Sequence, residues 1–269
     1  MASSFLQNYP IIYGTHRMTI GLSYGFEYGI IDIAIGYNNA IIIKQTMNET
    51  GLYPLVITKF GPNDFLTGIE NIAKQHVTEL CQQPAIVLLH SPFGSGGENL
   101  KAVLHLKILF PLALIGVSNF DLNQTTYLVE NGFVPDVIQL EYHPFFQPKK
   151  LLSYCQEKGI KIMAYRPFAK GIILKNDKII ELSKRLNIKP NHLVLSWLKQ
   201  KNIIPIVSSN NPENIISNAE TIELDMETIK FINSMDMGPA GSTCMVKYSN
   251  VGSNDSIFLI NKLYLFKNI

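Results

Sequence analysis

The chain has 269 residues, of which 46% are hydrophobic and 16% charged, with a formal net charge of +2. That balance fills a sizeable core and excludes a disordered chain. Charges of both signs are mixed, so there is no basic stripe for nucleic acid and no cationic amphipathic segment for a membrane surface. Residues 1–5 lack a basic start followed by a long apolar stretch, and no secretory signal is expected. The three cysteines, Cys81, Cys155 and Cys244, are far apart and without CxxC spacing. A reduced, cytoplasmic compartment is the expectation.

In chain order, the first β-branched run is 11–13. It leads into a short crossover, 15–29, whose Gly21, Gly25 and Gly29 weaken a helix. Further runs follow at 30–33, 55–57 and 86–88. The longest apolar region, 102–117, is broken by His105, Lys107 and Pro111, and reads as a helix followed by a strand at 114–117, not as a membrane span. The remaining runs are 137–140, 160–162 and 203–206. Helical periodicity fills most intervals, as at 149–158 with Gly159 in a C-cap position, 176–186 and 191–199. The loop 93–97 reads as flexible and not as a phosphate cradle, because no strand-turn-helix context supports it.

Eight strands with helical crossovers predict an α/β fold closed into a (β/α)8 TIM barrel. The length suits one such domain, for which roughly 250 residues are typical. A single domain is expected over residues 1–269, with the barrel from about 10 to 236 and an irregular C-terminal extension at 237–269. The competing doubly wound sheet would use a Gly-rich turn after the first strand, and none is present.

Four polar residues stand at or just beyond the ends of three of these runs: Asp32 and Tyr37 with 30–33, Lys59 with 55–57 and His90 with 86–88. The C-terminal ends of barrel strands open onto one mouth, so the four are expected to meet there. A free phenol has a pKa near ~10 and is a weak acid at neutral pH. A neighbouring Lys59 ammonium is expected to pull Tyr37 down toward the range where acid catalysis is effective, with Asp32 holding Lys59 charged. His90 is a second donor that orients the same substrate oxygen. This set suits hydride delivery to an aldehyde or ketone, and the hydride must come from a nicotinamide.

The sequence resembles the aldo-keto reductase family. Residues 32–39, Asp-Ile-Ala-Ile-Gly-Tyr-Asn-Asn, are similar to the family's Asp-Thr-Ala-x-x-Tyr-x-Asn-Glu segment. Ile57-Thr58-Lys59 and Leu88-Leu89-His90-Ser91-Pro92 resemble its lysine and histidine strands. Ile115-Gly116-Val117-Ser118-Asn119-Phe120, the 138–144 segment and Ala164-Tyr165-Arg166-Pro167-Phe168 resemble three more family strings, all in the expected order. The resemblance implies that Tyr37 is the proton donor, supported by Lys59, Asp32 and His90. It implies that Ser118, Asn119 and Gln139 bond the nicotinamide carboxamide, that Tyr165 stacks on the ring, and that Gly14-Thr15 lies beside the cofactor. Residues 166–171 would cross the pyrophosphate, with Arg166 standing where many relatives have serine and able to pair with phosphate.

Four departures bear on function. The family's adenosine site reads Pro-Lys-Ser-x-x-x-x-Arg-Ile-x-Glu-Asn. Here Ser208 replaces the lysine, Asn214 the arginine and Ser217 the glutamate, while Ser209 and Asn218 are kept. The two missing cations grip the 2′-phosphate, so the expected cofactor is NADPH or NADH with relaxed or NADH-leaning choice unless Lys201, Lys170 or Arg166 compensates. Ala40 stands where the family usually has glutamate, and the first crossover is short, with no room for the usual N-terminal hairpin. The tail 241–269 does not match the family's substrate-lining loop, so the carbonyl substrate is unreadable. The alternative expectation is a non-enzymatic barrel that binds nucleotide weakly and serves as a binding or structural subunit. No nucleic-acid or membrane partner is expected, and the chain reads as a monomer or weak oligomer. His16, His76, His105 and His192 lack metal-ligand spacing. His143 reads as structural, its ring bonding backbone. Tyr142, Phe145 and Phe146 either line the pocket or cap the barrel.

Overall fold

The computed structural model describes residue 6, residues 8–18 and residues 20–244. Eight parallel strands, paired in sequence order, close into a barrel. They are β1 (Ile12–Gly14), β2 (Ile30–Asp32), β3 (Leu55–Phe60), β4 (Ile86–Leu89), β5 (Leu114–Ser118), β6 (Val137–Glu141), β7 (Lys161–Tyr165) and β8 (Ile203–Val207). β1 pairs both β2 and β8, so no edge is left open. Each expected strand forms, with ends shifted by a few residues.

Helices cover the outside: α1 (Leu22–Phe26), α2 (Ala40–Thr50), α3 (Pro62–Thr67), α4 (Ile69–Leu80), α5 (Gly96–Leu109), α6 (Leu122–Glu130), α7 (Lys149–Glu157), α8 (Asp177–Arg185), α9 (Pro190–Gln200), α10 (Pro212–Asn218) and α11 (Met226–Ser234). Their starts follow local chemistry. Ser95 and Asp121 cap α5 and α6 in reciprocal boxes with Glu98 and Gln124. The segment 93–97 is therefore not a free loop throughout: Gly96 and Gly97 form the first turn of α5. Gly159 takes a left-handed φ of 72° after α7, as its C-cap position requires.

Strand side chains alternate between the barrel interior and the helical layer. Ile12, Ile30, Ile57, Ile86, Leu88, Val137, Met163 and Ile206 form the interior cluster, and Leu6 packs into it. The glycines of the first crossover answer to packing. A Cβ on Gly25 would fall 2.2 Å from the Tyr13 ring, so α1 lies on Tyr13 only because Gly25 has none. Among the described residues no helix is long and apolar enough to cross a membrane. Cys81, Cys155 and Cys244 are all free thiols. The greater part of the expected extension, 245–269, lies outside the described residues.

Candidate active site

The two-residue period places the site. Counting on from the interior positions of each strand, Asp32, Lys59, His90, Ser118, Gln139, Glu141 and Tyr165 all fall on inward parity at the C-terminal ends of β2 to β7. Asp32 pairs with the Lys59 ammonium, and the side chains are 5% and 1% exposed. Lys59 Nζ also donates to the Ile33 carbonyl at 2.9 Å and lies 3.5 Å from the Tyr37 hydroxyl and 5.0 Å from its ring centre. Gln139 Nε2 donates to the second Asp32 oxygen at 2.7 Å. On the outer face of β3, Thr58 Oγ1 and His76 Nε2 lie 2.8 Å apart, locking that strand to α4.

Tyr37 closes a single 3-10 turn, Ile35–Tyr37, and stands between two imidazoles. The ring centres of His90 and His16 are 6.1 Å and 4.7 Å from its own. The expected tetrad is therefore assembled. One expectation is corrected. Burial raises the Tyr37 pKa above 10.0 and outweighs the opposing pull of Lys59. The phenol thus keeps its proton throughout the neutral range. Burial works against the charge of Lys59, but the Asp32 carboxylate and the Tyr37 hydroxyl together offset it and hold the amine above its ordinary value.

A second group adjoins the first. Asn119, at a left-handed φ of 63°, donates to the Ser118 hydroxyl at 3.1 Å and to the His90 carbonyl at 3.0 Å. The Tyr165 hydroxyl donates to Asn119 Oδ1 at 2.6 Å, and Ser118 sits opposite Gln139 in the β5–β6 register. Arg166 lies over the Tyr165 ring at 5.9 Å. Thr15 is fully buried: its hydroxyl donates to the Asp32 carbonyl at 2.9 Å and accepts from Asn39 at 2.9 Å. It ties the end of β1 to both flanks of the Tyr37 turn.

Ser208 and Ser209 follow β8 beside β1, where the Tyr13 hydroxyl donates to the Ser209 carbonyl at 2.9 Å. Asn214 and Ser208 are exposed, whereas Asn218 is buried and accepts from Asn191 at 3.0 Å. The Ser217 hydroxyl accepts from Lys189 and Asn191 and lies 2.8 Å from His192 Nε2, so three polar partners converge on it. Lys201 is engaged elsewhere. It donates to Asn233 and packs on Trp197, 5.5 Å from the ring centre.

Three features of the mouth carry no motif in the sequence. His16, a histidine without metal-ligand spacing, has its ring beside Tyr37. Glu141 faces the mouth by strand alternation, two positions beyond Gln139. Residues 242–244, within the tail that matches no family loop, lie on Glu141, Tyr165 and Arg166. The carboxylate of Glu141 accepts the Thr243 and Cys244 backbone N–H groups at 2.8 and 3.1 Å, together with the Ser242 and Thr243 hydroxyls. Burial alone would raise its pKa, but these donors and the His143 ring bring it down to about 2. The His143 ring meets the Glu141 carboxylate at 3.3 Å, not the backbone as expected. Tyr142 turns outward and stacks on Trp197 with ring centres 5.4 Å apart, so it belongs to the helical layer.

Known proteins resemble this chain in sequence and in fold. The aldehyde reductase YPR1 of Saccharomyces cerevisiae is 36% identical over 126 residues, which is 45% of this chain and 40% of that protein. Glyoxal reductase of Bacillus subtilis is 30% identical over 132 residues, 46% of this chain and 48% of that one. The chain thus spans about half the length, or less, of these curated relatives. In fold, it superposes on the crystal structure of MGS-M4, an aldo-keto reductase from a deep-sea metagenome library, with a TM-score of 0.80 at 24% identity, covering 91% of this chain and 96% of that one. The family profile for aldo/keto reductases matches residues 68–237, more than half of the sequence, spanning β4 to β8 and the helices from α4 to α11. With that match and the barrel beneath it, the chain belongs to the aldo/keto reductase family.

Proposed function

We propose that this protein is an NAD(P)H-dependent oxidoreductase that reduces an aldehyde or ketone to an alcohol, with Tyr37 as the proton donor. The observation that carries the reading is the buried Lys59 ammonium, paired with Asp32 and 3.5 Å from the Tyr37 hydroxyl. The residues at the mouth fit the nicotinamide end of a dinucleotide. Ser118, Asn119 and Gln139 offer amide and hydroxyl groups at adjacent strand ends, and Tyr165 offers an aromatic face beside them. When bound, the dinucleotide supplies hydride to the carbonyl carbon.

The protein's own residues supply the rest. Tyr37 holds a proton at its hydroxyl and passes it to the carbonyl oxygen as charge develops there. Lys59 stabilises the phenolate left behind, and Asp32 keeps Lys59 charged. A fixed ammonium in a water-poor site needs little reorganisation, which is the source of its effect on the barrier. His90, at the edge of the Tyr37 ring, orients the oxygen. Toward the adenosine end, Ser208 and Asn214 carry no charge to pair with a 2′-phosphate. Cofactor choice is relaxed or leans to NADH.

The test is oxidation of NADPH and NADH by the purified protein with a reactive aldehyde such as 4-nitrobenzaldehyde, beside calorimetric titration of each dinucleotide. Calorimetry is preferred to intrinsic fluorescence because Trp197, the single tryptophan, is buried in the helical layer. Binding with turnover supports the reductase. Neither binding nor turnover supports the non-enzymatic barrel.

A further inference from the structure

Glu141 ends β6 with no exposed surface, an expensive place for a carboxylate unless donors surround it. Four of its donors come from three consecutive residues, 242–244, which lie a hundred positions later in the chain. The carboxylate therefore fastens this segment across the mouth. The same segment touches Tyr165 and Arg166, the two residues that the family resemblance sets against the dinucleotide. Cys244 Sγ lies 3.2 Å from the Tyr165 hydroxyl, and the Thr243 carbonyl accepts from Arg166 Nη1 at 3.0 Å. Tyr165 is also the register partner of Glu141 across β6 and β7. Arg166 needs such bracing, since its backbone holds a left-handed φ of 53° that a long side chain rarely adopts.

We propose that Glu141 is a positioning residue of the dinucleotide site. Through residues 242–244 it fixes Tyr165 and Arg166 in the arrangement that receives the nicotinamide and the neighbouring phosphates. The proposal rests on the reductase reading and adds to it a residue with no contact to the reacting atoms. A segment that merely capped the barrel would affect stability and leave dinucleotide affinity alone.

The test uses the full chain in a Cys81→Ser background. Cys81 is exposed, while Cys155 is buried and its thiol is pushed up to about 12, so Cys244 becomes the thiol that reports to a maleimide. Glu141→Gln keeps the shape and removes the charge. Ser242→Ala with Thr243→Val loosens the same contact from the other side and serves if the first variant does not fold. In either, Cys244 labelling is expected to speed up at least tenfold. The dissociation constants for NADPH and NADH are expected to rise about tenfold. The KM for dinucleotide rises with them, while kcat stays within threefold. Combining the changes adds little beyond either alone, because they break one contact. Faster labelling with unchanged dinucleotide affinity overturns the proposal, and so does labelling no faster than in the parent. If the parent itself binds neither dinucleotide, the reductase reading falls and takes the proposal with it. That result is recognisable because it appears without any variant.

Discussion

The Lys59 ammonium stands between the carboxylate of Asp32, with which it is paired, and the hydroxyl of Tyr37, 3.5 Å away. Removing either member of a buried pair strands the other charge, at a cost of about 3–5 kcal/mol. Lys59→Met and Asp32→Asn are each expected to lose that much in urea unfolding, and the double variant less than the sum. The folded-state pKa of Lys59 is raised. Its contribution is therefore complete below the ordinary 10.5 and fades as pH climbs through the folded value. An unfolding series to alkaline pH checks this: the parent loses stability there and the double variant lacks that loss.

His76 gives the opposite pH dependence. Burial against Thr58 drops its pKa from 6.5 to about 4. A depressed imidazole contributes fully above the unfolded value and loses its contribution as pH falls from 6.5 toward 4. The loss is on the order of 3 kcal/mol. His76→Gln, which can keep the bond to Thr58, is expected to flatten the stability curve between pH 6.5 and 4. A curve as steep as the parent's counts against the assignment.

The barrel was legible because parallel strands buried on both faces write unbroken β-branched runs, and β3 to β8 lie near those runs. Asp32, Lys59 and His90 were legible for the same reason, as polar groups ending such runs. The sign of the Tyr37 shift was not, because it depends on how far burial of the hydroxyl exceeds the pull of Lys59. Glu141 was readable from strand alternation alone, two places beyond Gln139. Residues 242–244 carry no periodic signal, and their position becomes clear only once Glu141 is seen to gather their donors.

Gly25 sets helix propensity against packing. Alanine favours a helix over glycine by about 1 kcal/mol. Its Cβ would meet the Tyr13 ring at 2.2 Å, and such overpacking costs about 1–3 kcal/mol. Gly25→Ala is expected to lower the thermal midpoint. A rise would show that α1 shifts away from Tyr13 without penalty.

The adenosine end offers a gain-of-function test. Installing Ser208→Lys and Asn214→Arg adds two charged partners for a 2′-phosphate, each worth about 1.5–3 kcal/mol. NADPH affinity is expected to rise by roughly two to four orders of magnitude while NADH stays within a few-fold. Calorimetry with both dinucleotides measures it. An equal change for the two places their difference elsewhere.

The central claim is that Tyr37 delivers the proton. Tyr37→Phe keeps the ring between His16 and His90 and removes only the hydroxyl that faces Lys59. Turnover of 4-nitrobenzaldehyde is expected to fall about 10²–10⁴-fold, the usual contribution of a positioned general acid. The dissociation constant of the dinucleotide should stay within threefold. Turnover that survives in Tyr37→Phe within tenfold of the parent would contradict the account.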